Sequence, residues 1–255
     1  MIEIKVHTKP VLRSPKLVGG LPGSGYVGKL AADHLIKELG AHLAAEIYSY
    51  SFPPQVLLKD DGTIELMKNE LYFWNNPTEG PDLLIMTGNA QAVNPEGQYE
   101  LAERILGLSK EFGADSVYMM AAYITGRYVD RPKVFGAATT SEAVAELEEN
   151  SVTIMKEGSV VGMNGLLFAL AKLQGIRGYC LLGETSGYIV DAKAAQAVLE
   201  VLAKRLDIKV NMVDLENRAK ETEKTIRRLE ELERKAVEQA TKRGVSRERE
   251  LPYIS

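Results

Sequence analysis

Along the chain the apolar positions keep changing period, and the changes predict an alternation of strands and helices. From Ile2 to His7 apolar and polar residues alternate, the two-residue period of a half-buried strand. Lys16–Gly20 predicts a second strand. From Tyr26 to Leu39 the period lengthens, and Val27, Leu30, Ala31, Leu35 and Leu39 fall on one helical face. Four strand-like stretches follow, Ala44–Tyr50, Val56–Leu58, Thr63–Leu66 and Leu71–Trp74, with the turn signal Asp61-Gly62 between the second and third. Asp82–Thr87, Val117–Tyr123, Val134–Ala138 and Tyr179–Gly183 are continuous apolar runs, as in strands buried on both faces. Helical patterns separate them at Gly97–Phe112, Glu142–Glu149 (with Ser141 as its expected N-cap), Gly162–Leu173 and Ala192–Leu206. Buried strands divided by helices predict an α/β sheet, largely parallel and covered on both faces, with residues 44–75 as an antiparallel insertion.

Near Val213–Asp214 the grammar changes. From Asp214 to Arg243 there is no glycine, proline or aromatic residue. Met212, Leu215, Ala219, Thr222, Ile226, Leu229, Glu233, Ala236 and Ala240 step by three and four, a heptad seam with Leu232 and Val237 beside its polar break. A helix over these thirty residues would be about 45 Å long. Its apolar stripe must be covered, either by the chain's own body or by a helix of another subunit. The length and narrow seam favour the second, with Leu215, Ala219, Ile226, Leu229, Leu232 and Ala236 as the partner face. After Gly244 the chain is polar until Leu251, Pro252, Tyr253 and Ile254, an apolar end that reads either as a docking peptide or as an end without a role. The expected organisation is therefore an α/β domain over residues 1–213, an amphipathic helix over 214–243 and a flexible tail over 244–255.

Composition narrows the functions. The 255 residues carry 31 Lys+Arg against 35 Asp+Glu, and that balance argues against a nucleic-acid binder. The segment Asp214–Glu250 is net +1 and dense in both signs, so the body is mildly acidic. One cysteine, Cys180, excludes an internal disulfide and suits a reducing, cytoplasmic setting. With only His7, His34 and His42 beside it, no zinc site and no metal is expected. No run reaches the roughly 18 apolar residues of a membrane helix, and the N-terminus reads as a strand and not as a signal peptide, so no membrane association is expected.

The candidate chemistry is sparse. Gly23-Ser24-Gly25-Tyr26-Val27-Gly28 has the G-x-G-x-x-G spacing between a strand and a helix, where backbone amides can meet a pyrophosphate. Pro22 precedes it, and the acidic Glu46 lies inside an apolar run, so a tight packing turn is the favoured reading and a nucleotide or phosphate site the alternative. Gly162-Met163-Asn164-Gly165 opens a second helix; a helix start packed closely on the sheet is again the favoured reading, with an anion contact that includes Asn164 as the alternative. Glu184 is an isolated carboxylate, Cys180 reads as core, and Ser24 and Ser186 lack nucleophile spacing. Tyr72-Phe73-Trp74 reads as strand packing. No catalytic residue and no cofactor emerges.

Three motifs in order carry a resemblance. Gly20-Leu21-Pro22-Gly23-Ser24-Gly25-Tyr26-Val27-Gly28 with Ala31-Ala32-Asp33-His34-Leu35-Ile36, then Gly162-Met163-Asn164-Gly165-Leu166-Leu167, then Leu181-Leu182-Gly183-Glu184-Thr185-Ser186-Gly187-Tyr188 with Asp191, Ala194 and Ala195, together resemble the archaeal members of the proteasome assembly chaperone family. The resemblance spans most of residues 16–206. It implies a three-layer α/β/α sandwich of the nucleoside phosphorylase-like kind. It also implies an ATP-independent chaperone that is not an enzyme and that forms homo-oligomers, ring-like tetramers or pentamers among them. The implied partners are further copies of itself and proteasome subunits or another client protein. Some relatives end in hydrophobic–Tyr–any residue, inserted into the proteasome α-ring; here Pro252-Tyr253-Ile254 has that order, followed by Ser255.

Overall fold

A computed structural model describes residues 1–225 together with residues 228 and 231. Its frame is one nine-stranded sheet. The strands are β1 (Ile2–Val6), β2 (Lys16–Gly19), β3 (His42–Ser49), β4 (Val56–Leu58), β5 (Ile64–Leu66), β6 (Asn69–Trp74), β7 (Leu83–Gly88), β8 (Ser116–Ile124), β9 (Val134–Ala138), β10 (Thr153–Ile154) and β11 (Arg177–Thr185). The helices are α1 (Val27–Leu39), α2 (Pro95–Glu111), α3 (Ser141–Glu149), α4 (Gly162–Leu173) and α5 (Ala192–Leu206). Across the sheet the order is β1-β3-β6-β7-β2-β8-β11-β9-β10, and β4 with β5 forms a separate hairpin.

The four central strands β7, β2, β8 and β11 run parallel. β7, β8 and β11 are three of the four apolar runs of the sequence, and with β2 they are buried on both faces, as parallel strands must be. Helices cover both faces. Leu101 and Ile105 of α2 with Met163 and Leu167 of α4 pack on one side, against Leu17, Leu84, Met119 and Cys180. Ala31 and Leu35 of α1, Leu147 of α3 and Val198 and Leu202 of α5 pack on the other, against Val18, Ile85, Tyr118 and Leu181. This is the expected three-layer α/β/α sandwich.

Three local expectations are corrected. Residues 44–75 are antiparallel as expected but are part of the main sheet: β6 pairs antiparallel with β7 and β3 antiparallel with β6, and only the β4–β5 hairpin stands apart. Strand β9 lies antiparallel to β11, because it is reached by a loop and not by a crossover helix. The N-cap of α3 is Thr140, whose hydroxyl accepts from the Ala143 amide at 3.2 Å, and Ser141 is its first helical residue. Helix α2 begins at Pro95 behind Asn94, whose side chain accepts from the Gly97 amide at 2.7 Å. Among the described residues no helix is long and apolar enough to cross a membrane, and no cluster of three metal-ligating side chains occurs.

Candidate functional site

In a sheet of this kind ligands commonly lie beyond the carboxyl ends of parallel strands, where neighbouring strands send their helices to opposite faces. Here that place lies between β2, which leads to α1, and β7, which leads to α2. Side-chain amides fill it. Asn164, 5% exposed, accepts from the Leu21 amide at 3.0 Å and donates to the Leu21 carbonyl at 3.1 Å. The Gln91 amide donates to the Pro22 carbonyl at 2.5 Å and accepts from the Met163 amide at 2.7 Å. The glycine loop, the loop after β7 and the start of α4 are thereby laced together.

The glycines have packing reasons of their own. A Cβ on Gly28 would stand 2.1 Å from the Met120 carbonyl oxygen, and one on Gly20 would stand 2.0 Å from that of Gly28. So the start of α1 rests directly on the backbones of β8 and of the segment leaving β2. Gly25 has φ +60°, and its carbonyl accepts from the Asp191 amide at 2.9 Å. Asp191, 2% exposed, accepts from Thr185 Oγ1 at 2.7 Å and caps α5 through the Ala194 amide at 3.0 Å. The motif from Glu184 to Asp191 is thus a clasp between the end of β11 and the glycine loop. Gly23 approaches the Asn164 amide and contributes its carbonyl to the Tyr26 amide at 2.9 Å.

The other sequence candidates also resolve into structure. The Glu184 carboxylate accepts from the Lys133 amide at 3.2 Å. Burial pushes the Cys180 thiol up to about 12, which leaves it without thiolate at neutral pH. His34, 7% exposed, donates from Nε2 to the Asn211 carbonyl at 2.6 Å and ties the segment after α5 to α1. Phe73 tilts against His42 with ring centroids 5.6 Å apart.

The helix that begins at residue 213 starts by covering its own domain. Leu215 and Ala219, expected on a partner's face, are 1% and 3% exposed and belong to the core over α1 and α5. Lys37 of α1 pairs with Asp214, and Lys193 of α5 with Glu223. Ile226, Leu229, Leu232, Ala236 and the tail residues Leu251, Pro252, Tyr253 and Ile254 lie outside the described residues.

Two features had no clear signal in the sequence: the exposure of a hairpin whose strands and turn were expected, and a groove beside it. The β4–β5 hairpin projects with its apolar side chains in solvent: Leu58 is 79% exposed, Ile64 56%, Leu66 55% and Val56 46%. Beside it a groove of about 1090 Å³ runs along the open face of β1 and β3, lined by Glu3, Lys5, Tyr48, Tyr50 and Lys68 among others. In its floor Lys68 meets Glu46 at 2.6 Å, Glu65 at 2.6 Å and Glu70 at 3.0 Å, and His7 meets Glu46 at 2.9 Å. The Lys68 hydrogen bond, against the opposing effect of burial and helped by His7, brings the Glu46 carboxyl down to about 2. Burial acts to lower the Lys68 ammonium, and the three carboxylates overcome it and raise it.

Comparison with known proteins locates the chain. A family model described as the PAC2 family matches residues 17–230. An uncharacterized protein of Methanocaldococcus jannaschii is 41% identical over 260 residues, covering 100% of this chain and 99% of that protein. The crystal structure of Pyrococcus furiosus PbaB, described as an archaeal proteasome activator, superposes with a TM-score of 0.85 at 40% identity, covering 90% of this chain and 98% of that one. Pyrococcus furiosus PbaA, described as an archaeal homolog of proteasome-assembly chaperone, superposes with a TM-score of 0.73 at 30% identity, covering 96% and 98%.

Proposed function

The chain belongs to the PAC2 family, and from that premise we propose that it is an ATP-independent chaperone or adaptor of the proteasome that self-assembles and works by holding protein surfaces. The observation that carries the reading is the likeness to a proteasome activator over nearly the whole of both chains at 40% identity. The site geometry supports it. Where an α/β enzyme would open a ligand crevice, Asn164 and Gln91 close it, while apolar surface stands outward on the β4–β5 hairpin. The helix beyond residue 219 and the segment Leu251–Ile254 are the parts that reach for copies of itself and for the proteasome or another client in the cytoplasm. The glycine loop serves this by joining strands rigidly and not by taking a nucleotide.

The reading is tested by mixing the full chain with archaeal 20S particles and following hydrolysis of an unfolded protein substrate. The full chain should change the rate several-fold without added nucleotide, and a version lacking Leu251–Ser255 should not. Equal rates with and without the full chain, together with no co-sedimentation with the particle or its α-subunits, would sink the proteasome role.

A further inference from the structure

The two ends of the sheet are treated differently. At one end β10 is two residues long, too short to offer a pairing edge. At the other end β1 is regular over Ile2–Val6, and among the described residues only β3 pairs with it. The Met1 carbonyl accepts from the Tyr50 amide at 3.2 Å and the His7 amide donates to the Ala44 carbonyl at 2.8 Å. In an antiparallel ladder the bonded residues alternate, so Met1, Glu3, Lys5 and His7 bond inward to β3. The backbone groups of Ile2, Ile4 and Val6 therefore face outward.

We propose that this edge is an interface for a second copy of the chain, paired antiparallel about a two-fold axis through Ile4. The inference rests on the self-assembly reading above and names its surface. The strand sequence Ile-Glu-Ile-Lys-Val is its own complement when read backwards. About Ile4, Ile2 meets Val6 of the second copy and Ile4 meets itself, each facing pair exchanging both backbone bonds. Glu3 then lies directly opposite Lys5 of the second copy, and Lys5 opposite its Glu3, in the closely spaced pairs where side chains interact most. Lysine on an edge strand usually guards against pairing. Here Lys5 lies back over the Tyr48 ring at 5.0 Å, and Glu3 supplies an incoming Lys5 with its counter-charge.

The flank fits as well. On the side of Ile4 and Val6 a cleft of about 240 Å³ runs between β1 and Gly107 and Leu108 of α2, with Glu103, Arg104 and Glu111 completing its lining, and a Cβ on Gly107 would meet nothing within 4 Å. Val6 is 41% exposed there. The pairing brings the same strand face of the second copy alongside this cleft, and it sets the two grooves on the opposite face side by side.

The test is sedimentation velocity of the full chain over a range of concentrations, with circular dichroism and melting to verify folding. Glu3→Lys and Lys5→Glu each set like charges opposite one another at two symmetric places and should weaken assembly about tenfold. The double variant Glu3→Lys/Lys5→Glu restores the complement and should recover the wild-type mass. Ile4→Pro removes an outward amide and none that serves β3, so it should remain folded with its assembly mass reduced to half or less. If the wild type assembles and the single reversals assemble equally, the edge proposal is wrong and self-assembly stands. If the wild type is a monomer at every concentration, both fall.

Discussion

At the scale of single residues, the informative groups are those whose partners come from far along the chain. Glu46 was legible only as an acid within an apolar run. Its role depends on Lys68, 22 positions away, and on His7, 39 positions away, and no local pattern contains them. Because its folded pKa is about 2 against an ordinary 4.5, the stability it contributes is complete above about pH 4.5 and is lost as pH falls toward 2. Urea unfolding across that range should show a steeper acid loss for the wild type than for Glu46→Gln. Lys68→Met should cost about 2 kcal/mol at pH 7, between the values for surface and buried pairs, because Glu46, Glu65 and Glu70 then repel. That variant should regain stability as pH drops toward 4, opposite in sign to the wild type, and a flat profile would refute the account. Asn164 and Asp191 stood inside recognisable motifs, yet their partners Leu21 and Thr185 were visible only in the fold.

At the scale of elements, periodicity carried most of the information. Helices α1 to α5 and the buried strands lie within a few residues of their patterns, since burial on one face or on both leaves a direct trace in the order of side chains. The two-residue β10 left none. The helix after residue 213 was legible as a helix, but the sequence pattern alone did not say what covers its stripe, because an apolar seam looks the same against its own domain as against a neighbour's. The structure assigns the first turns to the chain's own body. Leu215→Ala should therefore cost about 2–4 kcal/mol in the stability of the α/β domain itself, at any protein concentration. Urea midpoints measured at two well-separated concentrations decide the matter: a cost that vanishes on dilution would place Leu215 between subunits.

At the scale of the whole molecule, the three layers and the antiparallel stretch within residues 44–75 were legible, and the reversal of β9 was not. Parallel central strands follow from helical crossovers, and β3, reached through α1, runs in their direction, whereas β6 and β9 follow connections without a crossover helix and run the opposite way. The resulting order sets β2 between β7 and β8, so a strand near the start of the chain forms the middle of the sheet. During synthesis this imposes a wait. β2 leaves the ribosome early but gains its second neighbour only after β8, which begins at Ser116, has been made, an interval of about 5–20 s at ordinary elongation rates. Nascent chains arrested before residue 116 should be cut readily by protease between α1 and β7, and chains arrested with residues 1–225 outside the ribosome should resist. Until then the strand at the middle of the sheet has one edge open, and Leu17 and Val18, which end fully buried, lack the neighbour that completes their cover.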